Sequence, residues 1–92
     1  MGLSSVTWMY DHDVAAVAND TLAFEVYPSE VDALAVHLLQ LVDMGLTQGQ
    51  NWDLEALSVD CAEDGVHEFL LSATPEPFVG AVGSPVAPVA IK

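Results

Sequence analysis

Three histidines, a single cysteine and a scatter of carboxylates are the side chains here that could do chemistry. His37 stands three residues after Leu34 and four before Leu41. On a helix that spacing puts it at the edge of an apolar stripe and off the solvated face. Imidazole at such a boundary suits a metal ligand or a general base; a hydrogen-bonded boundary histidine is the plain alternative. Gln50 follows 13 residues later in a polar stretch, and chain reversal at Gly45 would return that stretch toward His37. A neutral Gln oxygen is a weak ligand, and most loop glutamines only satisfy backbone groups. Unaided, the pair carries little weight.

The other candidates are weaker. His12, between Asp11 and Asp13, reads as part of a charged turn, and His67 beside Glu68 reads as surface. Asp20 follows a buried run at a strand end, where α/β proteins place functional side chains, although a turn Asp is the simpler reading. Cys61 falls on an apolar helix position and reads as an inert buried thiol. No Gly-x-Ser-x-Gly, P-loop, dinucleotide fingerprint or His-Glu-x-x-His occurs. The run from Gly80 to Pro85 is too short and wrongly placed for a phosphate loop.

Composition narrows the classes. Fourteen Asp and Glu face one Lys and no Arg, a formal charge of −13. Such a surface repels phosphate, so nucleic acid is not an expected partner, and an anionic membrane is equally disfavoured. No apolar run reaches the ~20 residues that span a bilayer, and Met1–Asp13 lacks the pattern of a signal peptide; the expectation is a cytoplasmic protein. The lone cysteine excludes an intrachain disulfide and fits a reducing compartment. Yet 52% of the 92 residues are hydrophobic. A chain this short buries only roughly 60–65% of the surface it exposes when unfolded. The excess therefore belongs against a partner or inside a larger body.

Several elements must position these residues. Ser4 and Ser5 predict a short helix through Val6–Asp11. Val14–Ala18, wholly apolar, predicts a strand buried on both faces as in a parallel sheet. Leu22–Tyr27 predicts a strand that Pro28 stops. Ser29–Asp32 opens a helix whose stripe is Leu34, Leu38 and Leu41 with Val31, Ala35 and Val42, ending at Gly45. Thr47–Trp52 predicts a loop or short irregular strand, and Asp53 caps a helix over Leu54–Cys61 that ends by Gly65. His67–Ala73 and Val86–Ile91 predict two further strands, the last at an edge. The order is that of an α/β or α+β layer arrangement.

Four stretches in order resemble the C-terminal third of the cyclase family, whose best-known members are kynurenine formamidases. They are Val14–Asp20, Val36–Leu39 with Met44 and Gly45, Asn51–Leu57 and Gly80–Val86. Pro88–Lys92 also resembles a family C-terminus. The resemblance implies an α/β chain, the C-terminal part only of a swivelling β/β/α fold, with 1–92 a single partial domain. It implies a metal-dependent hydrolase of amide or cyclic amide bonds, in which a divalent metal, Zn or Mn, activates water and polarises a carbonyl. The family motif His-x-Gly-Thr-His-x-Asp, which supplies the main ligands, is not in this sequence. What carries over is His37, matching a later metal-site histidine, and Gln50, standing where formamidases have a ligating Glu. Asp20 matches a family Asp with a structural or substrate-side role.

The expectation is thus a C-terminal fragment of an arylformamidase-like hydrolase of tryptophan catabolism, inactive and unable to hold its metal alone. Its expected partner is the missing N-terminal part or a neighbouring subunit, within a homo-oligomer. A non-catalytic acidic interaction or oligomerisation domain is the alternative, and a split enzyme completed by a second reading frame is a third.

Overall fold

The computed structural model describes residues 1–31 and 34–92. These fall into two compact units, Met1–Asp53 and Leu54–Lys92, and the secondary structure is mixed α/β throughout.

In the first unit, helix α1 (Ser4–Asp11) turns Val6 and Met9 inward. Its N-terminal cap falls on Leu3, without a side-chain cap. Ser5 instead donates its hydroxyl to the Gly2 carbonyl at 2.8 Å, and the Leu3 N–H reaches the Glu30 carboxylate at 2.5 Å, an anion where the helix dipole favours one. Strand β1 (Ala16–Ala18) pairs in parallel with β2 (Thr47–Gly49), in the register Ala16↔Thr47, Val17↔Gln48, Ala18↔Gly49. The ladder continues past the strands. Asn19 N–H donates to the Gly49 carbonyl at 3.0 Å, and Trp52 N–H to the Asn19 carbonyl at 3.0 Å. Asn51 takes a left-handed conformation, φ 56°, which an Asn tolerates better than most residues.

Phe24 is fully buried and forms the core with Val6 and Val36; Met1, Leu3, Val17, Leu39 and Met44 pack against it. Placing Phe24 there excludes the strand expected over Leu22–Tyr27. The Met1 ammonium donates to the Phe24 carbonyl, and Val26 N–H donates to the Met1 carbonyl at 2.9 Å. These residues bond to the chain start instead of entering a ladder, and two neighbours, Phe24 and Glu25, both turn inward. A strand would send them to opposite faces.

Helix α2 (Ala35–His37) runs directly into a π-helical turn, Leu38–Asp43. The expected opening of this helix at Ser29–Asp32 lies partly outside the described residues, and the described helix starts at Ala35. Its end behaves as expected, with Gly45 at φ 67°. The inward face does not. Val36 and Gln40 are buried, whereas Leu34, Leu38 and Leu41 remain 58%, 54% and 45% exposed. The wide turn places the Leu39 carbonyl 3.0 Å from the Met44 N–H, five residues on, so the 3.6-residue period used to draw the stripe does not hold there.

The second unit carries α3 (Glu55–Asp64), ended by Gly65 at φ 70°. Strand β3 (Leu70–Ser72) pairs antiparallel with β4 (Val89–Ile91), in the register Leu70↔Ile91, Leu71↔Ala90, Ser72↔Val89, and Pro75 bridges Val86 beyond it. Lys92 ties the chain end to α3, with Nζ 2.8 Å from Asp60 and 2.9 Å from both Asp64 and the Val66 carbonyl. The hydrogen bonds to Asp60 and Asp64 raise the Lys92 ammonium above its ordinary range, and that from Lys92 lowers Asp64. The sign follows. A raised lysine contributes fully below its unfolded value of about 10.4 and is lost as pH climbs through the folded one; a lowered aspartate contributes above about 3.9 and is lost as pH falls. Lys92→Met is therefore expected to loosen the β4 end between those limits and to change little outside them. Amide exchange of Val66 and Ile91 across that pH range is the measurement. Equal exchange in both proteins at neutral pH would contradict it.

Candidate functional site

The two residues singled out by the sequence, His37 and Gln50, meet. His37 Nε2 lies 2.7 Å from Gln50 Nε2. His37 closes α2, and Gln50 immediately follows β2, so the reversal through Gly45 brings strand and helix together as expected. A second link runs beside the first. Gln48 Nε2 donates to Gln40 Oε1 at 2.5 Å, and Gln40 Nε2 contacts Met9 Sδ at 3.2 Å. Between the two links sits Gly49, where a Cβ would come within 2.5 Å of the Trp52 indole. Only glycine lets the indole lie on the strand.

A residue not anticipated from sequence organises the site. Glu25 faces His37 with both oxygens: Oε1 accepts the His37 backbone N–H at 2.7 Å, and Oε2 lies 2.6 Å from Nδ1. Its side chain is only 7% exposed, that of His37 22%. Burial pushes the Glu25 carboxyl up, but the hydrogen bonds from the His37 backbone and ring outweigh it and leave it below its usual range. A carboxylate accepts only, so Nδ1 carries the ring proton and Nε2 presents its lone pair to the Gln50 amide. Phe24 stands edge-on to the ring, centroids 6.0 Å apart. The result is a wired series, Glu25–His37–Gln50, in which every contact has a donor and an acceptor.

Glu25 sits in a segment that reads as a strand, and nothing in its spacing from His37 marks it. The remaining candidates stay apart. Asp20 is exposed in the turn after β1. His12 stacks on Trp8 at 4.2 Å and bonds the Trp8 carbonyl, and Cys61 is buried in α3 with Lys92 Nζ 3.8 Å away.

Carboxylate-backed imidazole is the usual form of a metal-binding histidine, so His37 fits one ligand position. The chain's own donors go no further. Among the described residues no group of three or more His, Cys, Asp or Glu could hold a metal ion, and a Gln amide adds only a neutral, weak donor. A zinc centre takes four ligands. The described residues therefore do not complete a metal site.

No family model matches this chain, and no curated protein matches it. Solved structures do. One of them is described as the crystal structure of a novel cyclase; it is 45% identical, covers 99% of this chain and superposes with a TM-score of 0.90. The chain spans 29% of the length of that cyclase. The mixed α/β architecture is thus similar to that of part of this cyclase, which supports the cyclase resemblance read from the sequence. Among the described residues no helix is long and apolar enough to cross a membrane.

Proposed function

We propose that this chain is the C-terminal portion of a metal-dependent hydrolase of the cyclase family, resembling kynurenine formamidase and acting on amide or cyclic amide bonds. The observation that carries the reading is His37, held by Glu25 with its Nε2 lone pair directed at Gln50, in a chain 45% identical to part of a cyclase. His37 and Gln50 serve as this chain's contribution to a metal centre whose other ligands come from outside the described residues. A divalent metal, when bound, lowers the pKa of a water and polarises the scissile carbonyl. What the chain itself does is positional: Glu25 fixes ring and tautomer, Phe24 limits ring rotation, and Gln50 stands at the face where the ligands converge. A Gln in place of a Glu leaves that face one negative charge poorer.

In this reading the chain is inactive alone. Purified protein is expected to give no hydrolysis of N-formylkynurenine with added Mn²⁺ or Zn²⁺, and calorimetry is expected to find at most weak metal binding, lost in His37→Ala. Metal-dependent turnover by these 92 residues would overturn it. So would metal binding that ignores His37→Ala.

A further inference from the structure

The stripe expected to face the core instead faces out. Leu34, Leu38, Leu41 and Val42 are 58%, 54%, 45% and 71% exposed along α2 and the π-helical turn, and the core is served from the other side by Val36 and Gln40. Four large aliphatic side chains in one stretch are more than an isolated exposed leucine requires. A second observation belongs to the same unit. Among the described residues β1 and β2 make a parallel sheet of two strands. Parallel pairs are found in larger sheets covered on both faces, and two strands alone are marginal. Here no residue of β1 or β2 is buried. Among the described residues the unit therefore has one helix face and one sheet that both lack cover.

From this we infer that the leucine face Leu34–Leu38–Leu41 is a docking surface for polypeptide corresponding to the rest of the solved cyclase, with the open β1–β2 pair seated in the same contact. Two facts select this occupant. The matched cyclase extends well beyond the segment this chain covers, so a natural cover exists in a relative of 45% identity. Charge selects against a second copy: two chains of −13 with one Lys each repel. His37 immediately precedes Leu38, so a polypeptide seated on these leucines comes close to the imidazole whose ligand partners are missing. This last link rests on the proposed function; the surface itself does not.

The test replaces the matching segment of the solved cyclase by this chain, and compares the chimera with the isolated chain. Leu38→Glu and Leu41→Glu are made in both. In the isolated chain the side chains are exposed, so the melting temperature is expected to stay within about 2 °C. In the chimera they are covered, and a fall of about 10 °C or more is expected. A chimera that does not fold, or whose stability ignores both substitutions, overturns the proposal. So does an isolated chain that runs as a dimer in size-exclusion chromatography and becomes monomeric on Leu38→Glu, because the occupant is then a second copy. Metal content of the chimera separates the two readings. Stripe-sensitive stability without metal bound through His37 keeps the docking surface and removes the metal-site reading; metal lost in His37→Ala, with no sensitivity at the leucines, does the reverse.

Discussion

Replacing Glu25 with Gln is expected to free the His37 ring and to destabilise the Met1–Asp53 unit by about 2 kcal/mol, the value of losing charge-assisted hydrogen bonds in a largely buried setting. The carboxylate accepts two N–H groups of one residue. An amide keeps one oxygen and turns an NH2 toward the other donor, so one of the two bonds becomes a repulsion. If the oxygen stays with the backbone N–H, the ring loses the partner that holds the proton on Nδ1. Long-range 15N–1H spectra of His37 are then expected to move from a pure Nδ1–H pattern to a mixture. An unchanged tautomer in Glu25→Gln would show that something other than the carboxylate sets it. The pH dependence has a definite sign. Glu25 lies below its usual range, so its contribution is complete above the unfolded value of about 4.3 and is lost as pH falls through the folded one. The wild type should weaken in acid through this group, and the variant should lack that component of the loss.

Phe24→Ala is expected to cost about 3–5 kcal/mol, the range for removing a fully buried aromatic ring. That is most of what so small a unit has, since domains hold roughly 0.05–0.15 kcal/mol per residue. Phe24 is fully buried, centres the cluster with Val6 and Val36, and braces His37. Urea titration followed by tryptophan fluorescence should find the first unit largely unfolded without denaturant. A shift worth under about 1 kcal/mol would mean that the ring is not the keystone its burial implies. Phe24→Leu, which keeps much of the volume, should recover a large part of the loss.

These two neighbours also mark where the sequence could be read and where it could not. Elements whose signals are local came through: Gly45 and Gly65 end their helices because both take the left-handed conformation that glycine supplies; β1, β3 and β4 lie within the runs expected to be strands, although β1 is not buried on both faces as expected, and α3 overlaps the expected helix but runs on to Asp64. The pairing of His37 with Gln50 followed from one reversal between a helix and a polar stretch. Glu25 was not visible. It turns inward beside Phe24 because its two neighbours, through the Phe24 carbonyl and the Val26 N–H, bond with Met1, more than twenty residues away, and no local pattern encodes that. The inward face of α2 was misread for another reason: drawing a stripe assumes a uniform period, and the backbone widens from α to π within one turn of His37. The stripe was right about which residues are apolar. It was wrong that this chain alone buries them.

That widened turn also sets the phase of everything after it. A π-helical turn is an α-helix carrying one extra residue, so a deletion within Leu38–Asp43 would let the backbone relax to ordinary hydrogen bonding. A deletion that the turn does not absorb in this way would swing the following residues by about 100° about the axis. Gln40 and Gln48, now opposed at 2.5 Å, would lose each other, and Gln50 would be drawn off His37. The irregular turn thus acts as a spacer, and a single-residue deletion should be tolerated only where the turn absorbs it.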